Sequence, residues 1–418
     1  MPTPARTRTD ACPGVVSPHL AADGALARVR LPGGVVGADP FRAVAELADA
    51  AGDGAVHLTS RGNLQLRGLD PGDPRPVARL AAAGLLPSTT HERVRNVLAS
   101  PLSGITGGLA DVRGLAALLD VGLCARPALA GLPGRFLIAL DDGRGDVAGE
   151  RPDLSWVAGS ATGGELRVTG TGTGLTCSPA GAPGLLLDAA EVFVALRDEH
   201  AADPDARAWR AAELPDAAAR IATALRDRAS RSAPADASAA GRALPNGDPD
   251  DDRATLGAGR AGPAVGTLDG AAVGAAPVLG ELSSAQVRTL ADLAPELLVT
   301  PWRTLVLPAP HHPSSVLGVL RDAGLVVDPA HPALRVSACA GAPGCAKSLS
   351  DVRGHARELI RLGTERAVHV AGCARRCGAP HTPHADAVAT GPASYEIDGL
   401  ARGLPAPTDL PEPTEEHR

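Results

Sequence analysis

The tetrapeptide Asp-Val-Arg-Gly closes two stretches, ASPLSGITGGLADVRG (99–114) and CAGAPGCAKSLSDVRG (339–354), that lie 240 residues apart. The same offset places Ala83-Gly84-Leu85 on Ala323-Gly324-Leu325, Arg95 on Arg335, Gly104 on Gly344, Leu119 on Leu359 and Arg126 on Arg366. A one-residue adjustment lays LTSRGNLQL (58–66) over VTPWRTLVL (299–307). A four-residue identity inside a collinear series signals an internal duplication, and self-similarity of this kind bounds the fold before any local reading does.

Each copy repeats one order of elements. A helix comes first: DPFRAVAELADAAG with Pro40 at its start, and SSAQVRTLADLA with a serine cap. Hairpin-like pairs with period-two apolar spacing follow, AVHLTSRGNLQLRGL and ELLVTPWRTLVLP. Then come the helices PVARLAAAGLL and SSVLGVLRDAGL, helices opening at Asp111 and Asp351 as N-caps, and the strands RFLIAL and RAVHVAG. Mixed helices and paired strands predict an α+β architecture rather than a doubly wound sheet. From about Arg228 to Ala276 the chain is rich in Ala, Gly, Pro and Asp without periodicity, which reads as a linker or surface excursion. VTGTGTGL (168–175) lacks G-x-G-x-x-G spacing and reads as a tight loop rather than a dinucleotide site.

With 418 residues, 44% of them hydrophobic, the chain is long enough for several cored units and excludes wholesale disorder. A net charge of -7 argues against a nucleic-acid partner. No run of about 18 apolar residues occurs, so no membrane span is expected. The N-terminus MPTPARTRTDACPG lacks the apolar core of a signal peptide. These features predict a cytoplasmic, monomeric protein whose thiols stay reduced.

Of seven cysteines, Cys12, Cys124 and Cys177 are scattered, whereas Cys339 and Cys345 form C-x5-C and Cys373 and Cys377 form C-x3-C. A gap of five suits zinc poorly, since zinc ligands pair at gaps of two to four. Iron–sulfur clusters accept more varied spacing when four thiolates converge. The intervening AGAPG wraps tightly and bares N–H groups that can approach sulfide. The four cysteines therefore point to a [4Fe–4S] cluster. Lys347, the sole lysine, stands two residues after Cys345, where it either favours the reduced cluster or is simply solvated.

C-x5-C followed by C-x3-C, after TSRGNLQLRG and RNVLASPL, resembles the sirohaem sulfite and nitrite reductase superfamily. Cys12-Pro13-Gly14, ADGALARVRLPGG (22–34) and RVSACAGAPGC (335–345) are similar to its precorrin-3B synthase branch. The resemblance implies an internally duplicated fold. Ferredoxin-like half-domains fall at 15–87 and 277–329, reductase-like α/β half-domains at 88–227 and 330–403, and the linker at 228–276. It places Arg61 and Arg95 facing a tetrapyrrole, with Asn63, Gln65 and Asn96 as polar neighbours. The ligand would carry many carboxylates, which arginine forks bind bidentately.

One departure from the reductases is informative. Their oxyanion-protonating K-x-K strand is replaced here by Arg135 and Leu137. Arginine is a poor proton donor and leucine none, so six-electron reduction of sulfite or nitrite is disfavoured. The branch implies instead O2-dependent hydroxylation of precorrin-3A at C20 with lactone formation. It further implies a mononuclear non-haem iron and an electron donor, either NAD(P)H through a reductase or ferredoxin. No spacing signature marks the iron's ligands; His57, His91, His369, His381 and His384 are candidates, or the iron sits near Cys377. The alternatives are a sirohaem-dependent reductase and a non-catalytic iron–sulfur carrier or sensor. Ala99 and Ile105 stand where copy two has Cys339 and Cys345, so substrate binding is expected mainly in copy one and the cluster in copy two.

Overall fold

The computed structural model describes residues 10, 12–200, 207–232, 262–310, 312–398 and 400–403. Four five-stranded sheets fall into two matching pairs. The first sheet runs β1 (His19–Ala21), β2 (Gly24–Val29), β5 (Leu64–Leu69), β4 (Ala55–Leu58), β13 (Glu281–Ser283). Its counterpart runs β11 (Gly266–Leu268), β12 (Ala272–Ala275), β15 (Leu305–Pro308), β14 (Glu296–Val299), β3 (Val35–Gly37). Each sheet is thus completed by a strand from the other copy: Leu282 pairs with Val56, and Val36 with Leu297.

That exchange fuses the two halves. Helices α1 (Ala38–Ala51) and α6 (Ser284–Leu293) pack together behind the borrowed strands. One apolar cluster then runs from Val29, Phe41 and Leu66 to Val273, Leu297 and Leu320. Ser283 caps α6 in a full capping box with Gln286. The hairpin turns match atom for atom: Gly62 N–H donates to Thr59 C=O, and Arg303 N–H to Thr300 C=O. Gly62 (φ 61°) and Arg303 (φ 58°) both take the left-handed conformation the turn requires.

The other two sheets also share a topology. β6 (Val97–Ala99), β7 (Ile138–Asp141) and β8 (Leu154–Ala158) are parallel, and β9 (Gly164–Val168) and β10 (Thr171–Cys177) return antiparallel. β16 (Val336–Ala338), β17 (Val368–Ala371) and β18 (Ala385–Ala389) repeat this, followed by β19 (Ser394–Ile397) and β20 (Leu400–Gly403). The fold is α+β and internally duplicated. The first of these sheets is backed by α3 (Arg113–Cys124), α4 (Ala182–His200) and α5 (Ala217–Ser232); the second has α8 (Val352–Leu362) and a much smaller apolar cluster. Over Pro179–Glu199 the chain is apolar and long enough to cross a membrane by length and composition, but Leu186, Ala190 and Phe193 lie in the core.

Three expectations change. Asp351 caps its helix, accepting the Gly354 N–H, but Asp111 sits one residue outside α3 and accepts from Arg113, where Val112 is the cap residue. VTGTGTGL is not a loop: most of it is β10, which pairs with β9 through a bulge, and only Thr169–Gly170 turn. The stretch read as linker is entered by α5 as far as Ser232 and left through β11 and β12; its middle lies outside the described residues.

Candidate functional site

Both cysteine loops leave the C-terminal ends of adjacent parallel strands, the edge at which such sheets place ligands. Cys339 follows β16 directly, and Gly372–Cys373 follows β17. Cys339 N–H donates to Val370 C=O, and Gly372 N–H donates to Cys339 Sγ at 3.2 Å. Leu349 N–H to Gly372 C=O (3.0 Å) ties one loop to the other. No cysteine is in a disulfide. The Cys377 thiol is pushed up by burial first, then by Cys339, with Arg375 opposing and Cys373 and Cys345 adding, so all four sulfurs share one neighbourhood.

Their separation separates the metal options. Tetrahedral zinc with bonds of about 2.3 Å would hold its sulfurs about 3.8 Å apart. No three of these sulfurs lie within 4.8 Å of one another. A cubane spreads its thiolates wider than a single ion does, and the Gly372 N–H to sulfur is the contact such clusters use. The donor set therefore fits a [4Fe–4S] cluster.

Two arginines from the ferredoxin-like sheets hold these loops from outside. Arg67 on β5 grips Asp23 with two bonds (2.9 and 3.0 Å) and donates to Gly344 C=O at 2.8 Å. Arg303, in the second hairpin turn, donates to Gly378 C=O at 2.8 Å. Neither was singled out from the sequence, because nothing local marks a residue that reaches a loop far along the chain.

The sheet face next to the first loop is cationic. Arg28 on β2 lies opposite Gln65 on β5, which in turn lies opposite His57 on β4. Arg30 continues the same face and is 2% exposed. Arg61 projects from the hairpin turn. Burial draws its guanidinium down to about 10, with Arg210 and Arg28 adding and Cys12 and Asp153 opposing. Burial also lowers Arg28 and Arg30, and Arg28 Nε and Arg30 Nη1 are buried without a partner. Arg210 is aimed by Asp153 (2.8 Å). From the other half, His381 joins them: burial and then Arg151, Arg210 and Arg61 lower its pKa. Buried cations of which Arg28 and Arg30 each keep an unpartnered guanidinium nitrogen suit an anionic ligand. The alternation R-V-R at 28–30 was the available sequence signal for two of them.

The remaining candidates divide. Arg95 is 4% exposed and its fork is taken by Asp120 (2.7 and 2.7 Å), so it braces the fold rather than facing a ligand. Asn63 Oδ1 accepts the Leu31 N–H, and Asn96 Nδ2 donates to Arg93 and Gly134 carbonyls. Each keeps one buried unpartnered atom, Asn63 Nδ2 and Asn96 Oδ1. Arg135 is exposed, 5.4 Å from the Trp209 ring centroid, while Leu137 is buried. Lys347 is exposed beside the first cysteine loop.

Among the histidines, His57 pairs with Asp53 (2.9 Å), and His91 is bonded to Ser88, Thr90 and Arg126 C=O. His369 and His384 approach with ring centroids 6.0 Å apart, and Asp386 lies 3.4 Å from His384 Nε2. His369 Nδ1 is bonded to Ser337, and burial, then Arg303 and His384, draws it down to about 4. These groups do not converge within 4.8 Å. The one set that does, Asp141, Asp142 and Asp146, has its oxygens engaged by backbone N–H groups, Ser100 and Arg144. Among the described residues no two-His-one-carboxylate set is assembled, so the mononuclear iron the resemblance implies has no fitted site here.

Residues 19–83 match the nitrite/sulfite reductase ferredoxin-like half domain. A precorrin-3B synthase from Sinorhizobium sp. is 28% identical over 97% of this chain and 86% of its own length. Ferredoxin–nitrite reductases from Synechococcus elongatus and Leptolyngbya laminosa are 35% and 33% identical, but over only 31% and 32% of this chain and 27% and 28% of theirs. The solved structure of Mycobacterium tuberculosis NirA protein shares the fold with a TM-score of 0.66 at 21% identity, covering 85% of this chain and 69% of that one. Residues 19–83 thus carry a nitrite/sulfite reductase ferredoxin-like half domain, and the chain shares the fold of the NirA protein while being similar over nearly its whole length to a precorrin-3B synthase.

Proposed function

We propose that this protein is a precorrin-3B synthase-type monooxygenase. It would convert precorrin-3A and O2 to precorrin-3B by C20 hydroxylation and lactone formation, within aerobic cobalamin biosynthesis. The observation that carries the reading is the pairing of two features. A cationic face built by Arg28, Arg30 and Arg61 stands beside a four-cysteine edge, with Leu137 buried where the reductases need a second lysine. The near full-length relative supports the same branch.

In this reading Arg28, Arg30, Arg61 and Arg210 bind and orient the substrate's acetates and propionates, and Gln65 offers an amide on the same face. Arg30 is buried and Arg28, Arg61 and Arg210 are half-buried, so water screens their charges less than it would at the open surface. Cys339, Cys345, Cys373 and Cys377 would hold a [4Fe–4S] cluster, which supplies one-electron chemistry when bound. The electron donor would be ferredoxin or a NAD(P)H-linked reductase.

Anaerobic iron and sulfide analysis joined to turnover of precorrin-3A with O2 and a reductant tests this. Product gaining one oxygen atom supports it. A sirohaem chromophore with sulfite- or nitrite-dependent oxidation of reduced dye would replace it with the reductase reading. Cluster without turnover of any of these would leave an electron carrier.

A further inference from the structure

Behind the first cysteine loop lies a buried polar set that the proposed chemistry does not use. Tyr395, the only tyrosine of the chain, is 0% exposed on β19; Ser350 (3%) precedes α8 and His355 (4%) lies on it. Their hydrogen bonds can be oriented by counting protons. Pro392 C=O can only accept, so the Ser350 hydroxyl donates to it (2.6 Å). Tyr395 O–H therefore donates to Ser350 Oγ (2.8 Å). With that proton used, His355 must carry a proton on Nδ1 and donate it to Tyr395 Oη (2.9 Å). The same Nδ1 lies 3.1 Å from Ser350 Oγ, so imidazole, phenol and hydroxyl form one closed set that ends on a backbone carbonyl.

Its end is fastened to the cysteine loop. Ser350 C=O accepts the N–H of Ala342, midway between Cys339 and Cys345, at 3.0 Å, and also the Ser348 hydroxyl at 2.8 Å. Ser348 N–H in turn bonds Cys345 C=O at 2.9 Å. No side chain inside AGAPG can brace that loop, so its shape must be imposed from outside.

We propose that His355, Tyr395 and Ser350 form a latch that positions the Cys339–Cys345 loop for its metal cluster. They are positioning residues, fixing Ser350 C=O and through it the loop's backbone. The inference rests on the four cysteines holding a cluster only for its redox consequence; the latch itself is a property of the chain.

The test is Tyr395→Phe and Ser350→Ala in the full chain, alone and combined, by hydrogen–deuterium exchange and by cluster spectroscopy. Loss of one buried hydrogen bond of ordinary net strength should raise exchange in peptides covering 339–350 about fivefold, with peptides of β7 unchanged. Because the groups share one mutually bonded network, the double variant should exceed either single variant by much less than the product of their effects. In protein carrying a cluster, its visible absorption should bleach in air faster by a similar factor, with an altered electron paramagnetic resonance signal on reduction. Unchanged exchange in both single variants would overturn the latch. Wild-type protein without iron and sulfide would overturn the cluster reading and leave the exchange result to judge the latch alone. Faster exchange with bleaching and spectrum unchanged would refute the positioning role.

Discussion

Replacing Asp146 by Asn should make this protein more stable at pH 8, and by well under half as much at pH 5. Asp141, Asp142 and Asp146 sit at the strand ends of copy one where copy two carries its cysteine loops. Asp141 spends both oxygens on backbone N–H groups of Gly143, Gly145, Val147 and Ala148. Asp142 grips Arg144, and Asp146, 3% exposed, has the Ser100 hydroxyl and a distant Arg144 at 3.9 Å. Burial, then Asp141, pushes the Asp146 carboxyl up to about 7 from an ordinary 3.8. Between those values the folded protein holds a proton that the unfolded chain has lost. Stability from this group is therefore intact at low pH and declines as pH rises towards 7. About 3 units at 1.36 kcal/mol each is about 4 kcal/mol, spread over the coupled trio. Asparagine keeps an acceptor for Ser100 and never ionises. Melting temperatures of wild type and D146N, measured at pH 5 and pH 8, check this. A difference between the two proteins that is the same at both pH values, or that favours wild type more at pH 8, would refute the buried-charge argument.

Arg61→Ala should weaken binding of a polycarboxylate tetrapyrrole by about 10- to 100-fold, the range of a hydrogen bond to a charged group, with iron and sulfide content unchanged; fluorescence titration and metal analysis read both. Arg95→Ala should cost about 3–5 kcal/mol of stability by stranding Asp120, and leave affinity of the folded fraction intact. A lowered affinity at full folding would restore Arg95 to the ligand face. Cys345→Ser should abolish broad visible absorption and, because the apolar cluster around Val352 and Tyr395 is small, open the second α/β half to proteolysis. Retained absorption would remove Cys345 from the cluster.

What could be read in advance follows from the range of each interaction. The duplication, the hairpins and the Ser283 cap depend on residues a few positions apart, and their patterns survive in the letters. The cysteines are legible because thiols are scarce and their spacing is chemical. Arg95 was misplaced because its partner Asp120 is a helix away, and an arginine aimed at a ligand looks the same in sequence as one aimed at a carboxylate. Arg28 and Arg30 were passed over though their alternation on one strand was visible; only the cross-strand neighbour Gln65 gives that alternation a face. β10 escaped because its threonines and glycines carry no apolar period, and its place is set by pairing with β9. The exchange of β3 and β13 is a tertiary choice that three-residue strands cannot announce.

That exchange also explains how two unlike halves can share one site. Had each ferredoxin-like sheet closed on its own strands, the arginine face of copy one and the cysteine edge of copy two could shift against each other. With β13 paired to β4 and β3 to β14, both sheets belong to a single core. Arg67 on the first sheet and Arg303 on the second can then reach one cysteine loop each. The loops are thereby held in register with Arg28 and Arg61, which stand on or beside the same first sheet. Copy one has no cysteines at the equivalent strand ends. They carry the Asp141–Asp142–Asp146 knot, held by hydrogen bonds and Arg144.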